Sequence, residues 1–197
     1  MKIVCFDLEG TLAPELWVEI AIHFDIPELK RTTRDEPDED KLMEARLKLL
    51  SDHEVSYSQI LDVIDRTKVF EGAKALLDSL APDFQPVIVT GSYYQFIFPL
   101  LRQLGSPFAF ANYLDIENDR IAGYRWRISD HKRHAVEHFK AQNFEVIAVG
   151  DSYNDIAMFE TADKGFFFRA PDEIKLQYPL YQSTDDYAAL RDLISAT

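Results

Sequence analysis

The chain has a single cysteine among 197 residues, Cys5, so no internal disulfide can form and a reducing compartment suits it. No stretch approaches the roughly 18 uninterrupted apolar residues of a membrane-spanning helix. The short apolar run near the start is broken by Asp7 and Glu9, whereas a signal peptide has a longer apolar stretch after a basic start. Internal repeats and low-complexity segments are also missing. Basic residues are in deficit: 21 Lys and Arg stand against 34 Asp and Glu, a formal net charge of -13. Such a surface repels nucleic-acid backbones, so neither a nucleic acid nor a membrane is expected as a partner. It repels a phosphorylated small molecule too, so a phosphate site here needs cations placed locally. These absences describe a soluble, cytoplasmic protein with one well-buried domain and room for a small insertion.

Several short apolar runs end abruptly in polar residues. Ile3-Val4-Cys5-Phe6 stops at Asp7, Pro86-Val87-Ile88-Val89-Thr90 at Gly91, and Val146-Ile147-Ala148-Val149 at Gly150-Asp151. Their length predicts strands, and their lack of alternation predicts burial on both faces, as in a parallel sheet. Residues 165–168 form a further candidate strand and 108–110 a weaker one. Helical spacing of apolar residues over 73–80, 94–104 and 132–141 alternates with these runs. The pattern is that of an α/β fold with a mostly parallel sheet. Residues 113–117 and 121–126 flank Asn118-Asp119-Arg120 as a β-hairpin, with no glycine in the three-residue connection. Residues 14–68 differ, with no strand-like run and three helical patterns at 16–24, 39–50 and 58–65. Ser56 and Gln59 have capping-box spacing before the last of these. So long a helical block exceeds a simple crossover, and an inserted helical cap over 14–68 is expected on a core of 1–13 and 69–197.

The chemistry-bearing residues sit at the strand ends, where open parallel sheets bind ligands. Phe6-Asp7-Leu8-Glu9-Gly10-Thr11 places two carboxylates two residues apart, and Gly150-Asp151-Ser152-Tyr153-Asn154-Asp155 adds two more. Clustered acids repel unless a cation or a proton offsets them. Magnesium, a hard ion that takes oxygen ligands, would be held by Asp7, Asp151 and a main-chain carbonyl of the first loop. Asp155 would either ligate or orient the ligands from behind. Thr90 offers a hydroxyl, and Gly91 and Ser92 offer main-chain N–H groups at a helix start, suited to phosphoryl oxygens; the plain alternative is an N-cap. Lys132, at the head of a helical pattern, is the candidate cation. His23, His53, His131, His134 and His138 lack metal-ligand spacing.

These four motifs, in this order, resemble those of the haloacid dehalogenase superfamily. The resemblance implies a Rossmann-like core with a cap and assigns roles. Asp7 is the nucleophile and Glu9 the general acid/base, while Thr90 and Lys132, with Gly91, Ser92 and Asn154, hold the phosphoryl group. The implied metal set is Asp7, Glu9 and Asp151, with Mg2+ as cofactor. A helical cap directly after the first motif is similar to the phosphoserine phosphatase branch. There, a Glu and an Arg at places matching Glu15 and Arg46 bind the amine and carboxylate of the amino acid, as ion-pair chemistry favours. One position departs: ordinary members carry Asp where this chain has Glu9. The Asp7-Leu8-Glu9-Gly10 opening and the stretch from Thr32 through Thr33, Arg34, Asp35 and Pro37 to Asp38 look closest to bacterial phosphoserine phosphatase/homoserine phosphotransferase proteins. The implied reaction is phosphoserine hydrolysis through an aspartyl-phosphate, with homoserine as a further acceptor. Hydrolysis of another small phosphomonoester, and a non-catalytic phosphate-binding module, are the alternatives.

Overall fold

In the computed structural model, which describes residues 1–32, 35–36 and 38–197, the first strand is the central one. Thr33, Arg34 and Pro37, within the 32–38 stretch noted above, lie outside the described residues. Strand β1 (Lys2–Phe6) is flanked by β2 (Phe84–Tyr93) and β5 (Glu145–Gly150), both parallel to it. Beyond β2 lie β3 (Phe108–Glu117), parallel, and β4 (Arg120–Arg125), antiparallel. Beyond β5 lie β6 (Lys164–Phe168) and β7 (Gln182–Thr184), both parallel. The order β4-β3-β2-β1-β5-β6-β7 is that of an α/β sheet wound outward from its middle.

Side chains alternate along a strand, so a strand covered on both faces must be apolar at every position. In β1, Val4 and Phe6 enter one buried cluster with Ile88, Ile147 and Phe168. Ile3 and Cys5 enter a second with Val87, Val146 and Phe167. This is the physical reason for the unbroken apolar run before Asp7. Pro86, within β2, precedes the point at which pairing to β3 begins at Val87.

The 14–68 segment folds as α1 (Leu16–Phe24), a 3-10 turn (Pro27–Lys30), α2 (Glu39–Asp52) and α3 (Tyr57–Arg66). Ser56 and Gln59 form a reciprocal capping box at the start of α3. Leu16, Ile20, Met43, Leu50, Ile60 and Ile64 belong to the same cluster as Val4 and Phe6, so the helical segment and the sheet share one core. That core is completed by α4 (Ala73–Leu80) and α5 (Tyr94–Gln103), while α6 (His131–Ala141) and α7 (Ile156–Thr161) cover the other face. Two further helices follow β6, α8 (Asp172–Gln177) and α9 (Tyr187–Ser195). These and β7 were not read from the sequence, although Asp186 caps α9 by accepting from Ala189 N–H at 2.9 Å. No helix among the described residues is long and apolar enough to cross a membrane.

Two local expectations change. The weak strand at 108–110 and the first hairpin strand are one element, β3, which pairs with β2 in its first half and with β4 in its second. The hairpin connection has two residues rather than three. Asn118 and Asp119 both adopt positive φ, 49° and 58°, as a type I′ turn requires, so they stand where glycine was missed. In addition, β2 runs three residues past Thr90, and α5 starts only at Tyr94. Gly91 and Ser92 therefore lie on a strand extension and not at a helix start.

The hairpin tip reaches the cap. Asp119 Oδ1 accepts from Ser58 N–H at 2.8 Å, its Oδ2 from Ser58 Oγ at 2.7 Å, and its carbonyl from Tyr57 N–H at 2.8 Å. Asp119 thus satisfies orphan donors at the start of α3 from 61 residues away. Replacing Asp119 by Gly keeps the positive-φ turn but removes the carboxylate, and should destabilise the protein. Urea titration reads this as a lower midpoint at unchanged m; an unshifted midpoint would mean that the tether adds nothing.

Candidate active site

Asp7 follows the last residue of β1, with its N–H bonded to Val149 O at 2.9 Å. The chain then turns sharply: Leu12 N–H and Ala13 N–H both donate to Leu8 O, and Gly10 N–H to Ala13 O. Gly10 has φ +79°, and a Cβ there would stand 2.5 Å from Asp151 Oδ2, so only glycine lets the first loop meet the loop after β5. The same holds at Gly150, where a Cβ would overlap Asp155 Cγ at 2.1 Å. The first approach brings the acids of separate motifs together, and the second folds Asp155 back onto the start of its own motif.

Oxygens of Asp7, Asp151 and Asp155 lie within 4.8 Å of one another. Lys132, buried at the head of α6, places Nζ 3.1 Å from Asp7 Oδ1, 2.6 Å from Asp155 Oδ1 and 2.7 Å from Asn154 Oδ1. Its three protons thus have three acceptors. Asp155 Oδ2 accepts from Asp151 N–H and Ser152 N–H, both at 3.0 Å, so both of its oxygens are engaged. It is placed to orient the loop and Lys132 rather than to turn an oxygen outward.

Three carboxylates face one ammonium. Burial pushes the Asp7 carboxyl up to about 7, partly offset by Lys132. Burial, with repulsion from Asp7 and Asp155, pushes Asp151 up to about 8. Burial works against the charge of Lys132, but Asp155 and Asp7 outweigh it and hold the ammonium above its usual value. The cluster is short of positive charge, and its free oxygens are hard donors, which is what a divalent cation such as magnesium fits.

Glu9 lies outside the triad. Its Oε1 accepts from Leu16 N–H at 2.8 Å at the start of α1, and the Ser92 hydroxyl bonds to it. Burial first, and then Glu15, push its carboxyl up to about 8. With that side chain engaged, any share of Glu9 in holding a cation falls to main-chain oxygen. Ser92 N–H, expected to be free, donates to Thr90 Oγ1 at 3.1 Å. Asn112 Nδ2 fixes the Gly91 carbonyl at 2.8 Å.

A cavity of about 300 Å³ opens above these groups. Asp7, Glu9, Thr90, Gly91, Asp151 and Asn154 line its floor; Glu15, Trp17, Glu39, Met43 and Arg46 of the cap face them. The Arg46 guanidinium stacks over the Trp17 ring at 4.5 Å and donates from Nη2 to Arg31 O at 2.7 Å. Arg46 Nε is buried without a hydrogen-bond partner among the described residues. Burial lowers the Arg46 value to about 10, so it stays charged at neutral pH. Trp126 closes one side, its Nε1 donating to Asp40 Oδ1 of α2 at 2.7 Å, and Tyr124 hydroxyl reaches the same oxygen at 2.8 Å. Trp126 and Glu39 were absent from the sequence-based site, and Tyr93 reads from the sequence as packing first and cleft lining second. The signal for Trp126 was only its place at the end of a hairpin strand.

A family model described as haloacid dehalogenase-like hydrolase matches residues 1–163. The chain belongs to that family of hydrolases. Its similarity is strong to the phosphoserine phosphatase ThrH of Pseudomonas aeruginosa, 42% identical over 97% of this chain and 94% of that one. A phosphoserine phosphatase of Pseudomonas syringae pv. tomato is 41% identical over 97% and 81%. Among solved structures, a phospho-aspartyl intermediate analogue of phosphoserine phosphatase has a TM-score of 0.80 over 99% of this chain and 98% of that one, at 23% identity. That likeness concerns the fold.

The raised carboxyls carry a pH signature. The folded chain keeps protons on Asp7, Glu9 and Asp151 that the unfolded chain releases near 3.8 to 4.5. Their contribution to stability is full below that range and is lost as pH rises through 7 to 8. His131 acts oppositely: burial lowers it from 6.5 to about 4, so its contribution is lost as pH falls across that interval. Above pH 6.5 only the carboxyl slope remains. The chelator-treated protein should therefore melt at lower temperature at pH 8 than at pH 6.5, by up to about 1.4 kcal/mol per unit for each group. Asp151→Asn should flatten that slope; equal melting at both pH values in the wild type would contradict it.

Proposed function

We propose that the chain is a magnesium-dependent phosphoserine phosphatase of the cytoplasm that works through an aspartyl-phosphate on Asp7, with homoserine as an alternative acceptor. One observation carries this reading. A single enclosed cavity has a buried carboxylate paired to a buried lysine at its floor, and a desolvated arginine with an unpartnered N–H in its roof. A ligand with a phosphoryl group at one end and a carboxylate at the other meets both.

Asp7, Asp151 and a main-chain carbonyl of the first loop would hold Mg2+, which supplies the positive charge that the carboxylate cluster lacks. Thr90 and the Gly91 region cradle the phosphoryl oxygens, and Lys132, held by Asp7, Asp155 and Asn154, supplies positive charge from beneath. An Asp7 oxygen attacks phosphorus in line, and the bond from phosphorus to the serine oxygen breaks. Glu9, protonated at neutral pH, gives its proton to that oxygen. It then takes a proton from water, or from the hydroxyl of homoserine, as that oxygen attacks the phospho-aspartate and frees Asp7. Glu15 meets the ammonium of the amino acid and Arg46 its carboxylate. The 14–68 segment acts as the cap that selects the substrate.

The reading is tested by incubating the protein with phosphoserine and Mg2+, with and without homoserine, and separating free phosphate from phosphohomoserine. Phosphate release that stops on chelation is expected, together with phosphohomoserine when the acceptor is present. Asp7→Asn should lower turnover by at least about a thousandfold, as loss of a nucleophile does. Undiminished turnover in that variant would remove the covalent route. Equal turnover of unrelated small phosphomonoesters would remove the amino-acid assignment.

A further inference from the structure

Strand β2 leaves its pairing with β3 after Val89 and resumes it only where Tyr93 meets Asn112. Through this irregular stretch Tyr93 arrives on the cavity wall, between the floor around Glu9 and the roof around Arg46. The residue is 3% exposed. Its ring stands edge-on to Phe96 at 6.0 Å and tilted against Trp126 at 5.9 Å. Those contacts are apolar, and a phenylalanine would make them equally well. The hydroxyl is the unexplained part. It has no hydrogen bond among the described residues and is left for whatever fills the cavity that Tyr93 lines. Besides burial, which raises its value, the Arg46 guanidinium is the strongest charge it senses, followed by the neighbouring Tyr124 phenol and then Glu39 and Glu9.

Two residues thus line one cavity from different parts of the fold: Arg46 on α2, whose Nε is buried without a partner, and Tyr93 on β2, whose hydroxyl bonds to none of the described residues. Glu39 and Glu9, the acids whose charge reaches the phenol, do not accept from it, and Glu9 is already held by Leu16 N–H and Ser92. A carboxylate has two oxygens and needs donors from more than one direction. We propose that the Tyr93 hydroxyl is a specificity-determining group that grips the substrate carboxylate together with Arg46, one donor from the core strand and one from the cap. This rests on the phosphoserine reading and adds a residue to it. The pairing joins the two segments through the ligand, so a substrate without the carboxylate loses the contact from both sides.

Tyr93→Phe removes the hydroxyl and keeps the ring. The comparison uses phosphoserine and phosphoethanolamine, which share the ammonium and the phosphoester and differ by the carboxylate. The preference of the wild type for phosphoserine, as the ratio of kcat/KM values, should fall about tenfold in the variant, the change expected for one hydrogen bond to a charged group. The loss should lie in KM for phosphoserine, at a melting temperature equal to wild type. If phosphoethanolamine turns over too slowly, its inhibition constant against phosphoserine gives the same ratio. A wild type that prefers phosphoserine and a variant that retains the full preference overturn the Tyr93 role alone. Parallel losses on both substrates, or a lowered melting temperature, reduce Tyr93 to packing and also overturn it. A wild type with no preference for phosphoserine overturns the substrate reading and the grip together.

Discussion

The arrangement depends on one buried cation. Lys132 lies among Asp7 of the first motif and Asn154 and Asp155 of the last, so one lysine joins two motifs. Burying an ammonium and two carboxylates is unfavourable unless each is matched, and removing one member of such a group typically costs about 3–5 kcal/mol. The glycines serve that match. Gly10 lacks the atom that would hold the first loop off Asp151, and Gly150 leaves room for Asp155 to fold back within its own loop, so the first and last motifs come within reach of the same lysine. Asp155 then has a double task, bonding Lys132 with one oxygen and two main-chain N–H groups with the other. The phosphoryl site is therefore built as an electrostatic unit first, and its deficit of positive charge is what leaves room for an ion and for a substrate in an acidic protein.

Much of this floor was legible in the sequence because it depends on local rules. An apolar run too short for a helix and lacking alternation had to be a doubly covered strand, and Asp7 and Asp151 are placed by strand ends alone. Helices with clear stripes, α1 and α4 among them, were readable for the same reason. The roof and the wall obey rules of another kind. That Ser92 N–H is occupied depends on β2 continuing past Gly91, which no periodicity marks. That Tyr93 and Trp126 meet depends on where the hairpin lies over the sheet. The two-residue turn escaped notice because Asn118 and Asp119 adopt the left-handed backbone that glycine usually signals. The final helices bury one residue (Ile174 in α8) and two (Leu190 and Ile194 in α9), and such thin stripes did not rise above loop composition.

The cap has so far been treated as an insertion, and in chain order it is one. In packing it is not separate. Ile20, Met43 and Ile60 continue the cluster that begins at Val4 and Phe6, so lifting the cap as a whole would expose a contiguous apolar face.

The hairpin gives this roof a further property. Asp119 fixes the tip to α3, and Asp40 on α2 binds both Tyr124 and Trp126 near the other end of β4. Helix α2 also carries Arg46 and Glu39, which face Trp126 across the cavity. The two jaws of the pocket are thus mounted on one frame, although they lie 80 residues apart (Arg46 to Trp126) in the chain. A shift of that helix carries both jaws together, and the gap between them acts as a fixed gauge for the length of the molecule held inside.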